Sequence, residues 1–417
     1  MNIRIRRGYN KSMLKEIKKD VYWVGKVDWD IRKFHGDEYS THRGSSYNSY
    51  LIRDKKTALI DTVWRPFGSE FVKALDTEVG LDKIDYVIAN HAESDHSAAL
   101  AELLSRIPGT PVYCTANGVK SLKGHFHKDW NFVPVKTGDT LDLGRRKLLF
   151  IEAPLLHWPD SMFSYLTEEN ILFSNDAFGQ HYASGFLFND LVDQAELYQE
   201  GIKYYANILV PFSQLVEKKI DEFKKLNVPL DMICPSHGVI WRDRPSQIVT
   251  KYLEWSKDYS ENQITIIYDS MWNGTGRMAE AIASGIRSED DQVSVKLFNV
   301  SRSDKNDVVT EVFKSRAILV GSPTINRGIL SAVAGFLEQV RGLKFNGKQA
   351  AAFGAYGWSG ESVEMINEGL HKAGFELLNS GLKSLWNPDD KALDECVEFG
   401  REMAVQSAQR GRETQSS

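Results

Sequence analysis

The hydrophobic and polar positions of this chain follow different patterns in its two halves. Over residues 21–244, short apolar segments with alternating polar positions come in groups, separated by turns and a few helical stretches. Groups of strands with helices between them predict sheets enclosed by helices, an α/β sandwich. The predicted strands are 49–52, 57–61, 131–135, 147–151, 162–166 and 171–173, and the predicted helices are 70–78, 98–105 and a long segment over 192–226.

From residue 264 onward, single strands alternate with single helices. This alternation of apolar strands and helices predicts a parallel, doubly wound sheet. A helical segment over 245–259 is expected to join the halves, so we predict two domains, residues 1–258 and 259–417. The predicted strands are 264–268, 293–298, 317–321, 350–353 and 376–383, and the predicted helices are 277–288, 308–314, 329–340, 362–373 and 392–404.

Composition and charge narrow the class of protein. The chain has 417 residues, of which 42% are hydrophobic and 26% charged, as in an ordinary soluble globular protein. A net charge of −5 and the lack of a basic stripe argue against nucleic-acid binding. No apolar run approaches the roughly 18 residues of a membrane span. The basic start lacks the apolar segment of a secretory signal, so we interpret it as a solvated tail; it includes Arg4, Arg6 and Arg7.

The cysteines indicate a reducing compartment. The chain has three, Cys114, Cys234 and Cys396, and no two of them form a C-x-x-C pair. This usage fits the cytoplasm and argues against an internal cysteine-ligated iron centre.

A dense group of polar side chains follows the apolar segment 85–89. His91, Glu93, Asp95 and His96 place four metal-competent groups within six residues. Imidazole and carboxylate ligands suit iron, manganese or zinc better than copper(I), which prefers sulfur. The two carboxylates also provide enough negative charge for two divalent ions. The segment therefore predicts a metal site.

Further donors follow other predicted strands. His157, Asp176 and His237 each come where an apolar strand breaks into a loop. Alone, each histidine would be interpreted as a structural residue, and Asp95 alone could cap a helix beginning near Ser97. Together with the cluster, they predict a dinuclear site. The other histidines without such context are expected to be surface or structural residues: His42, His125, His127, His181 and His371.

Three loops of the second half predict a flavin site. The loop after its first strand offers hydroxyls and glycine amides at the start of a helix, which favours a phosphate. It lacks the spacings of dinucleotide and nucleoside-triphosphate loops, so the phosphomonoester of FMN fits better. Loops after the third and fourth strands converge on it. The candidate contacts are Ser270, Met271, Trp272, Asn273, Gly274, Thr275, Pro323, Thr324, Ile325, Asn326, Ala355, Tyr356, Gly357, Trp358, Ser359 and Gly360.

These motifs resemble a known family. The pattern H-x-E-x-D-H, followed by separate His, Asp and His residues, is similar to the metallo-β-lactamase fold in its flavodiiron form. The second half resembles a short-chain flavodoxin that binds FMN. Over about 21–406 the chain thus resembles class A flavodiiron proteins, or a flavorubredoxin without its rubredoxin domain. Hydrolytic members usually carry His where this chain has Glu93, and the added oxygen donor favours iron.

The resemblance implies roles for individual residues. One iron would be held by His91, Glu93 and His157 and the other by Asp95, His96 and His237, with Asp176 bridging both. His35 and Tyr204 resemble residues on the substrate side of the diiron pocket, which would give them a catalytic role as hydrogen-bond or proton donors. Tyr205 is an equal alternative to Tyr204 by pattern, and a packing role for His35 and Tyr204 stays open.

The resemblance also implies an activity. It is the reduction of O2 to water, of NO to N2O, or of both, with electrons relayed through FMN from an external donor, a rubredoxin or a reduced deazaflavin. A head-to-tail homodimer, or a dimer of dimers, would bring the flavin of one chain to the metals of another. Two alternatives are a zinc-dependent hydrolase fused to a flavodoxin module and an electron-transfer protein with a metal-free first domain. The sequence leaves the preference between O2 and NO open.

Overall fold

The computed structural model describes residues 12–413, with side chains described through residue 408. They divide into two compact units. The first comprises the chain up to Tyr204 together with Gln214–Leu253, and the second comprises Tyr205–Ser213 together with the chain from Glu254 onward. A boundary between independent domains after residue 258 stays a prediction. The basic residues Arg4, Arg6 and Arg7 lie outside the described residues.

The first unit is built from two main sheets. They have the strand orders β1-β2-β7-β8-β9-β10-β11 and β12-β13-β14-β15-β16, and two small sheets pair β3 with β6 and β4 with β5. In chain order the strands are β1 Lys15–Lys18, β2 Val21–Trp23, β3 Lys26–Asp28, β4 Lys33–Phe34, β5 Tyr39–Ser40, β6 Ser45–Tyr47, β7 Tyr50–Ile52, β8 Thr57–Ile60, β9 Ile84–Ile88, β10 Val112–Thr115, β11 Phe132–Val135, β12 Thr140–Asp142, β13 Lys147–Glu152, β14 Met162–Leu166, β15 Ile171–Asn175 and β16 Met232–Pro235.

The core of this unit lies between the two sheets. Ile52 and Ile60 of the first sheet belong to one buried cluster with Phe150 and Phe173 of the second. Each such side chain stabilises the fold by about 1.5–3 kcal/mol when buried. The helices in this part of the chain are α1 Gly68–Glu78, α2 Ser94–Ser97, α3 Leu100–Arg106, α4 Ala116–Phe126, α5 Gln194–Tyr204, α6 Ser213–Lys225 and α7 Ser246–Trp255.

The second unit contains a parallel sheet of order β18-β17-β19-β20-β21, with β22 also paired to β20. Counted from β17 as the first strand, this is the order 2-1-3-4-5 of a doubly wound sheet. Such a sheet binds its ligand at the point where the order of its strands reverses, which here lies between β17 and β19. Its strands are β17 Glu261–Tyr268, β18 Ser294–Asn299, β19 Ser315–Gly321, β20 Gln349–Tyr356, β21 Glu376–Leu377 and β22 Leu382–Leu385. Its helices are α8 Gly274–Glu289, α9 Lys305–Lys314, α10 Ser331–Leu343, α11 Ser362–Lys372 and α12 Asp390–Glu413.

Two predicted elements differ from the structure. The long helical segment over 192–226 is interrupted by a π-helix at Tyr205–Leu209 and a 3-10 helix at Val210–Phe212, because Pro211 cannot continue an α-helical hydrogen-bond ladder. The strand predicted over 376–383 is split into β21 and β22. Gly381 lies between them at φ 92°, and a Cβ there would lie 2.5 Å from Val363 Cγ1.

The other predicted helices and strands form within a few residues of their predicted bounds, except that the last helix, predicted over 392–404, extends over Asp390–Glu413. None of the described helices combines the length and apolar character needed to cross a membrane.

Candidate metal centre and flavin pocket

The predicted metal donors follow strand ends, in loops or, for Asp95 and His96, in the short helix α2. β13, β15 and β16 run in the same direction because β14 pairs antiparallel with both β13 and β15. Their carboxyl ends therefore lie at one edge of the sheet, and His157, Asp176 and His237 follow these three ends. His91 and His96 follow the carboxyl end of β9 in the other sheet. The loops bring all seven predicted donors together.

One group of donors consists of His91, Glu93, His157 and Asp176. The Nε2 atoms of His91 and His157 lie 3.3 and 3.4 Å from Glu93 Oε2. The same two nitrogens lie 3.5 and 3.4 Å from Asp176 Oδ2. One donor atom of each residue lies within 4.8 Å of the others. These atoms surround a point where a single cation would meet all four ligands.

The other group consists of Asp95, His96 and His237. The Nε2 atoms of His96 and His237 lie 3.1 and 3.0 Å from Asp95 Oδ2, and 3.0 and 3.5 Å from Asp176 Oδ1. Asp176 therefore presents one carboxylate oxygen to each group. This is the geometry of a carboxylate that bridges two metal ions.

Several donor atoms are buried without a hydrogen-bond partner among the described residues. They are Nε2 of His91, Nε2 of His96, Oδ1 of Asp95 and both carboxylate oxygens of Asp176. Unpaired buried polar atoms are costly, so their convergence indicates that cations belong between them. Four imidazoles and three carboxylates form a set of donors that fits iron.

The electrostatics of the pocket favour positive charge. Burial alone would lower the pKa of His91, but the hydrogen bond with Asp160 and the nearby carboxylates of Glu93 and Asp176 raise this pKa to about 10. Burial would also lower the pKa of His157, which Asp176 and Glu93 raise to about 10. Burial alone would raise the pKa of Asp176, but the imidazoles around it hold that pKa well below its usual range. Metal ions would take the place of these protons.

Two groups outside the predicted set orient the histidines. Asp160 Oδ2 accepts a hydrogen bond from His91 Nδ1 at 3.0 Å, and the carbonyl oxygen of Ser46 accepts one from His237 Nδ1 at 2.6 Å. Such partners fix the ring so that Nε2 faces the metal. Sequence reasoning missed Asp160 because only strand ends were considered, although it lies three residues after His157. A backbone carbonyl such as that of Ser46 gives no sequence signal.

The two predicted catalytic residues lie beside these groups. His35 Nε2 is 3.2 Å from Glu93 Oε1, and its side chain is 34% exposed. The ring of Tyr204 is buried and lies 5.3 Å from that of His181. Of the two adjacent tyrosines, only Tyr204 belongs to the unit that contains the donors, because Tyr205 belongs to the second unit.

His181 lies next to the metal donors rather than on the surface. Its buried ring is 4.7 Å from that of His237, and its Nδ1 is 2.8 Å from Ser45 Oγ. Its Nε2 has no hydrogen-bond partner among the described residues. Of the five histidines expected to be surface or structural residues, the exposed ones are His42, His125, His127 and His371.

The three predicted flavin loops surround one cavity of about 570 Å³ in the second unit. Three of the predicted contacts lie outside its wall. Asn273 precedes α8 in a left-handed conformation, Ile325 pairs with Gly328, and Gly360 packs behind the ring of Tyr356. The predicted contacts that do line it are Ser270, Met271, Trp272, Gly274, Thr275, Pro323, Thr324, Asn326, Ala355, Tyr356, Gly357, Trp358 and Ser359.

The cavity fits FMN. The loop after β17 leads into the 16-residue helix α8, whose first N–H groups lack helical partners and favour a phosphate. Thr275 Oγ1 is buried there without a hydrogen-bond partner among the described residues. A Cβ at residue 276 would lie 2.3 Å from Asn273 Oδ1, so a larger residue there would displace the Asn273 side chain at the start of α8. Trp272 and Trp358 are 91% and 89% exposed, which suits stacking against a ligand and excludes a core role.

The sequence did not predict three residues that also line this cavity, Arg327, Trp386 and Asn387. Trp386 follows β22, and its backbone N–H donates a hydrogen bond to the backbone carbonyl oxygen of Tyr356 at 2.6 Å. It was missed because the last strand was predicted to end at residue 383. Arg327 directly follows the predicted contact Asn326, and its positive charge in a ligand-binding loop was the sequence signal that could have identified it.

The fold and the two sites define a metalloflavoprotein, with a β-lactamase-like domain that carries a dinuclear centre and a flavodoxin-like domain. The profile of the ODP family beta lactamase matches residues 46–238, and the flavodoxin profile matches residues 266–400. The anaerobic nitric oxide reductase flavorubredoxins of Escherichia coli O1:K1 / APEC and of Klebsiella pneumoniae subsp. pneumoniae are each 56% identical over 394 residues, which cover 94% of this chain and 82% of theirs.

Solved structures of similar fold indicate the same class of protein. The rubredoxin oxygen:oxidoreductase of Desulfovibrio gigas has a TM-score of 0.91 and 36% identity over 95% of this chain and 98% of that chain. The flavodiiron protein of Giardia intestinalis has a TM-score of 0.90 and 36% identity over 95% of this chain and 97% of that one. The chain belongs to the flavodiiron protein family. It is an oxidoreductase that depends on FMN and a diiron centre, which confirms the fold, the class and the cofactors predicted from its sequence.

Proposed function

We propose that this chain reduces NO to N2O, O2 to water, or both, at two irons held by the seven donors. The observation that carries the proposal is Asp176, whose two oxygens face two separate sets of histidines. When bound, two irons would offer a small diatomic electrons and open coordination positions, and FMN would supply the irons with single electrons. Relatives named for nitric oxide reduction and for oxygen reduction support both substrates.

The chain's own residues would hold the irons and serve the substrate. His91, Glu93 and His157 would bind one iron, and Asp95, His96 and His237 the other. His35 is partly exposed beside Glu93, so its Nε2 can donate a hydrogen bond or a proton towards bound substrate. Burial raises the pKa of Tyr204 well above its usual value, so its hydroxyl keeps its proton as a donor.

Glu93 also separates this function from the alternative of zinc hydrolysis. Its carboxylate lies with two imidazoles and Asp176 around one cation position, which makes that position rich in oxygen donors. Such a position suits iron better than a set with a further imidazole. Metal analysis of protein purified from cells grown with both metals tests this point. Two irons per chain support the proposal, and two zinc ions with hydrolytic activity support the alternative.

The main experiment compares the two gases under identical conditions. Protein reconstituted with iron and FMN is supplied with a reduced rubredoxin, and the consumption of NO and of O2 is followed with electrodes in separate runs. We expect at least one gas to be consumed, and the ratio of the two kcat/KM values gives the preference. Asp176→Ala, with FMN still bound, should abolish consumption. If reconstituted wild-type protein consumes neither gas, the proposal is wrong.

We further propose a separate rubredoxin as electron donor, with a reduced deazaflavin as the alternative, and a cytoplasmic location. The three free, buried cysteines fit a reducing compartment, and a relative is named as a rubredoxin oxygen:oxidoreductase. Steady-state rates with each donor at equal concentration decide between them. A rate with rubredoxin no higher than with the deazaflavin would favour the alternative.

We also propose a head-to-tail homodimer, alone or paired into a dimer of dimers. Exposed apolar side chains around the flavin cavity support an interface there: Met271, Trp272, Trp358, Leu385 and Trp386. Coexpression of Asp176→Ala chains with Gly276→Val chains provides the test, because the added side chain crowds Asn273 and is expected to disturb the phosphate loop. If flavin and irons of different chains work together, the hybrid regains activity that neither variant has alone. An inactive hybrid of dimeric size would contradict the head-to-tail arrangement.

A further inference from the structure

The flavin cavity has a single charged residue in its wall. Among the described residues that line it, Arg327 alone is charged, and the others are neutral polar, glycine, aromatic or aliphatic residues. The described carboxylates form no ion pair with Arg327, and its side chain is exposed. The nearby Arg277 is not part of the wall, and its Nη1 donates to Asn387 Oδ1 at 3.2 Å. The cavity therefore contains one positive charge that no described carboxylate neutralises.

The backbone places Arg327 at the tip of a tight turn. Ile325 and Gly328 exchange both backbone hydrogen bonds, at 3.1 and 2.7 Å. The two residues between them, Asn326 and Arg327, have φ values of 48° and 57°. Turns with two left-handed central residues strongly prefer Asn followed by Gly. Asn326 meets this preference, whereas Arg327 occupies a position where glycine would be favoured, so the turn's own stability does not explain the arginine.

The position of the turn separates Arg327 from the phosphate loop. The phosphate loop follows β17 and leads into α8, whereas Arg327 lies in the loop after β19. In a sheet of this topology the ligand lies outside the carboxyl ends of the strands at the switch point, and the loops after the third and fourth strands line the same cavity as the phosphate loop. The N-terminus of α8 and Thr275 already provide for the phosphate. The charge of Arg327 is therefore available to the ring.

We propose that Arg327 stabilises the reduced, anionic form of the bound FMN and so raises its reduction potential. Two electrons and one proton convert oxidised flavin, whose ring is neutral, to a hydroquinone anion with negative charge on its pyrimidine side. A cation in a cavity with otherwise neutral walls stabilises that anion and not the neutral oxidised ring. The electrons come from the external donor of the proposed function. A higher flavin potential makes electron transfer from that donor more favourable.

The test uses a variant that the turn should tolerate well. Arg327→Gly gives the turn its preferred Asn-Gly sequence, so we expect a melting temperature at or above that of the wild type. The reduction potential of bound FMN is measured by anaerobic spectroelectrochemical titration. We expect the preference for reduced over oxidised FMN to fall about tenfold, which lowers the two-electron potential by about 30 mV. Arg327→Lys keeps the charge and should retain most of the wild-type potential.

Two controls exclude other causes of a lowered FMN potential in Arg327→Gly. Arg341→Gln removes a charge from the surface of α10 in the same unit and should leave the potential unchanged. Affinities for oxidised FMN and for riboflavin, which lacks the phosphate, are measured by fluorescence quenching. Arg327→Gly should change both affinities equally. A selective loss of FMN affinity would show that Arg327 binds the phosphate and would overturn the proposal, as would an unchanged potential.

The inference rests on FMN binding in this cavity, and the two failures can be distinguished. If wild-type protein binds no FMN, the flavin part of the proposed function fails together with this inference. If FMN binds and gas consumption is normal, but the potential of Arg327→Gly equals that of the wild type, this inference alone is wrong.

Discussion

Replacing Asp160 by Asn tests whether a residue that is not itself a metal donor stabilises the metal centre by orienting one of its ligands. Asp160 Oδ2 accepts hydrogen bonds from His91 Nδ1 at 3.0 Å and from the Ala92 N–H at 2.7 Å, so it fixes both the imidazole and the backbone beside it. Asparagine keeps the shape but removes the charge. The loss of such a partner costs about 10- to 100-fold in metal affinity, or about 1.4 to 2.8 kcal/mol.

The structure predicts that this loss falls on one iron of the two. His91 belongs to the group with Glu93 and His157, and among the described residues no hydrogen bond or ion pair joins Asp160 to His96 or His237. Anaerobic titration with a chromophoric iron chelator should therefore remove one iron from the variant at about 10- to 100-fold lower chelator concentration than from the wild type. The second iron should leave as it does in the wild type.

Asp54→Asn is the matched control for this experiment. Asp54 is a buried carboxylate of the same unit that accepts hydrogen bonds from the N–H groups of Arg145 and Arg146, away from the metal donors. The control should lose stability without losing iron affinity. Equal iron affinity in Asp160→Asn and the wild type, or an equal loss in both variants, would refute the reasoning.

Three further predictions follow from particular residues. Glu93→His should bind more zinc than iron from an equimolar mixture, measured by elemental analysis, whereas the wild type prefers iron. Tyr204→Phe should lower turnover on the order of a hundredfold, while Tyr205→Phe, which loses its hydrogen bond with Ser213, should cost only about 1 kcal/mol of stability; equal turnover of the two variants would contradict this. Burial lowers the pKa of Lys348 from 10.5 to about 7, so in this range the unfolded chain holds a proton that the folded chain lacks. The unfolding free energy should rise with pH between these values by up to about 1.4 kcal/mol per pH unit, less steeply in Lys348→Met, as measured by urea denaturation.

Most of the fold could be predicted because its pattern is local. The alternation of apolar strands and helices in the second half predicts the parallel sheet, and the strands predicted over 49–52 and 57–61 form the antiparallel pair β7 and β8. The interruption near Pro211 and the split at Gly381 were missed. Helical periodicity continues on both sides of Pro211, and the split depends on how closely Gly381 approaches Val363, a contact distant in sequence.

The candidate site was predictable where its residues share a motif or a strand end. His91 to His96 lie within six residues, and His157, Asp176 and His237 follow apolar strands, so pattern and chemistry together identified the seven residues that the structure brings into two groups. Asp160 and His181 follow no strand, and their roles depend on the folding of loops around the pocket. Their relation to His91 and His237 is therefore visible only in three dimensions.

We propose above all that Asp176 bridges two irons. Anomalous diffraction at the iron absorption edge, on crystals of iron-reconstituted protein, tests it most directly. We expect two iron peaks, one among His91, Glu93 and His157 and the other among Asp95, His96 and His237, with one Asp176 oxygen bound to each. A single peak, or two peaks without Asp176 between them, would contradict it.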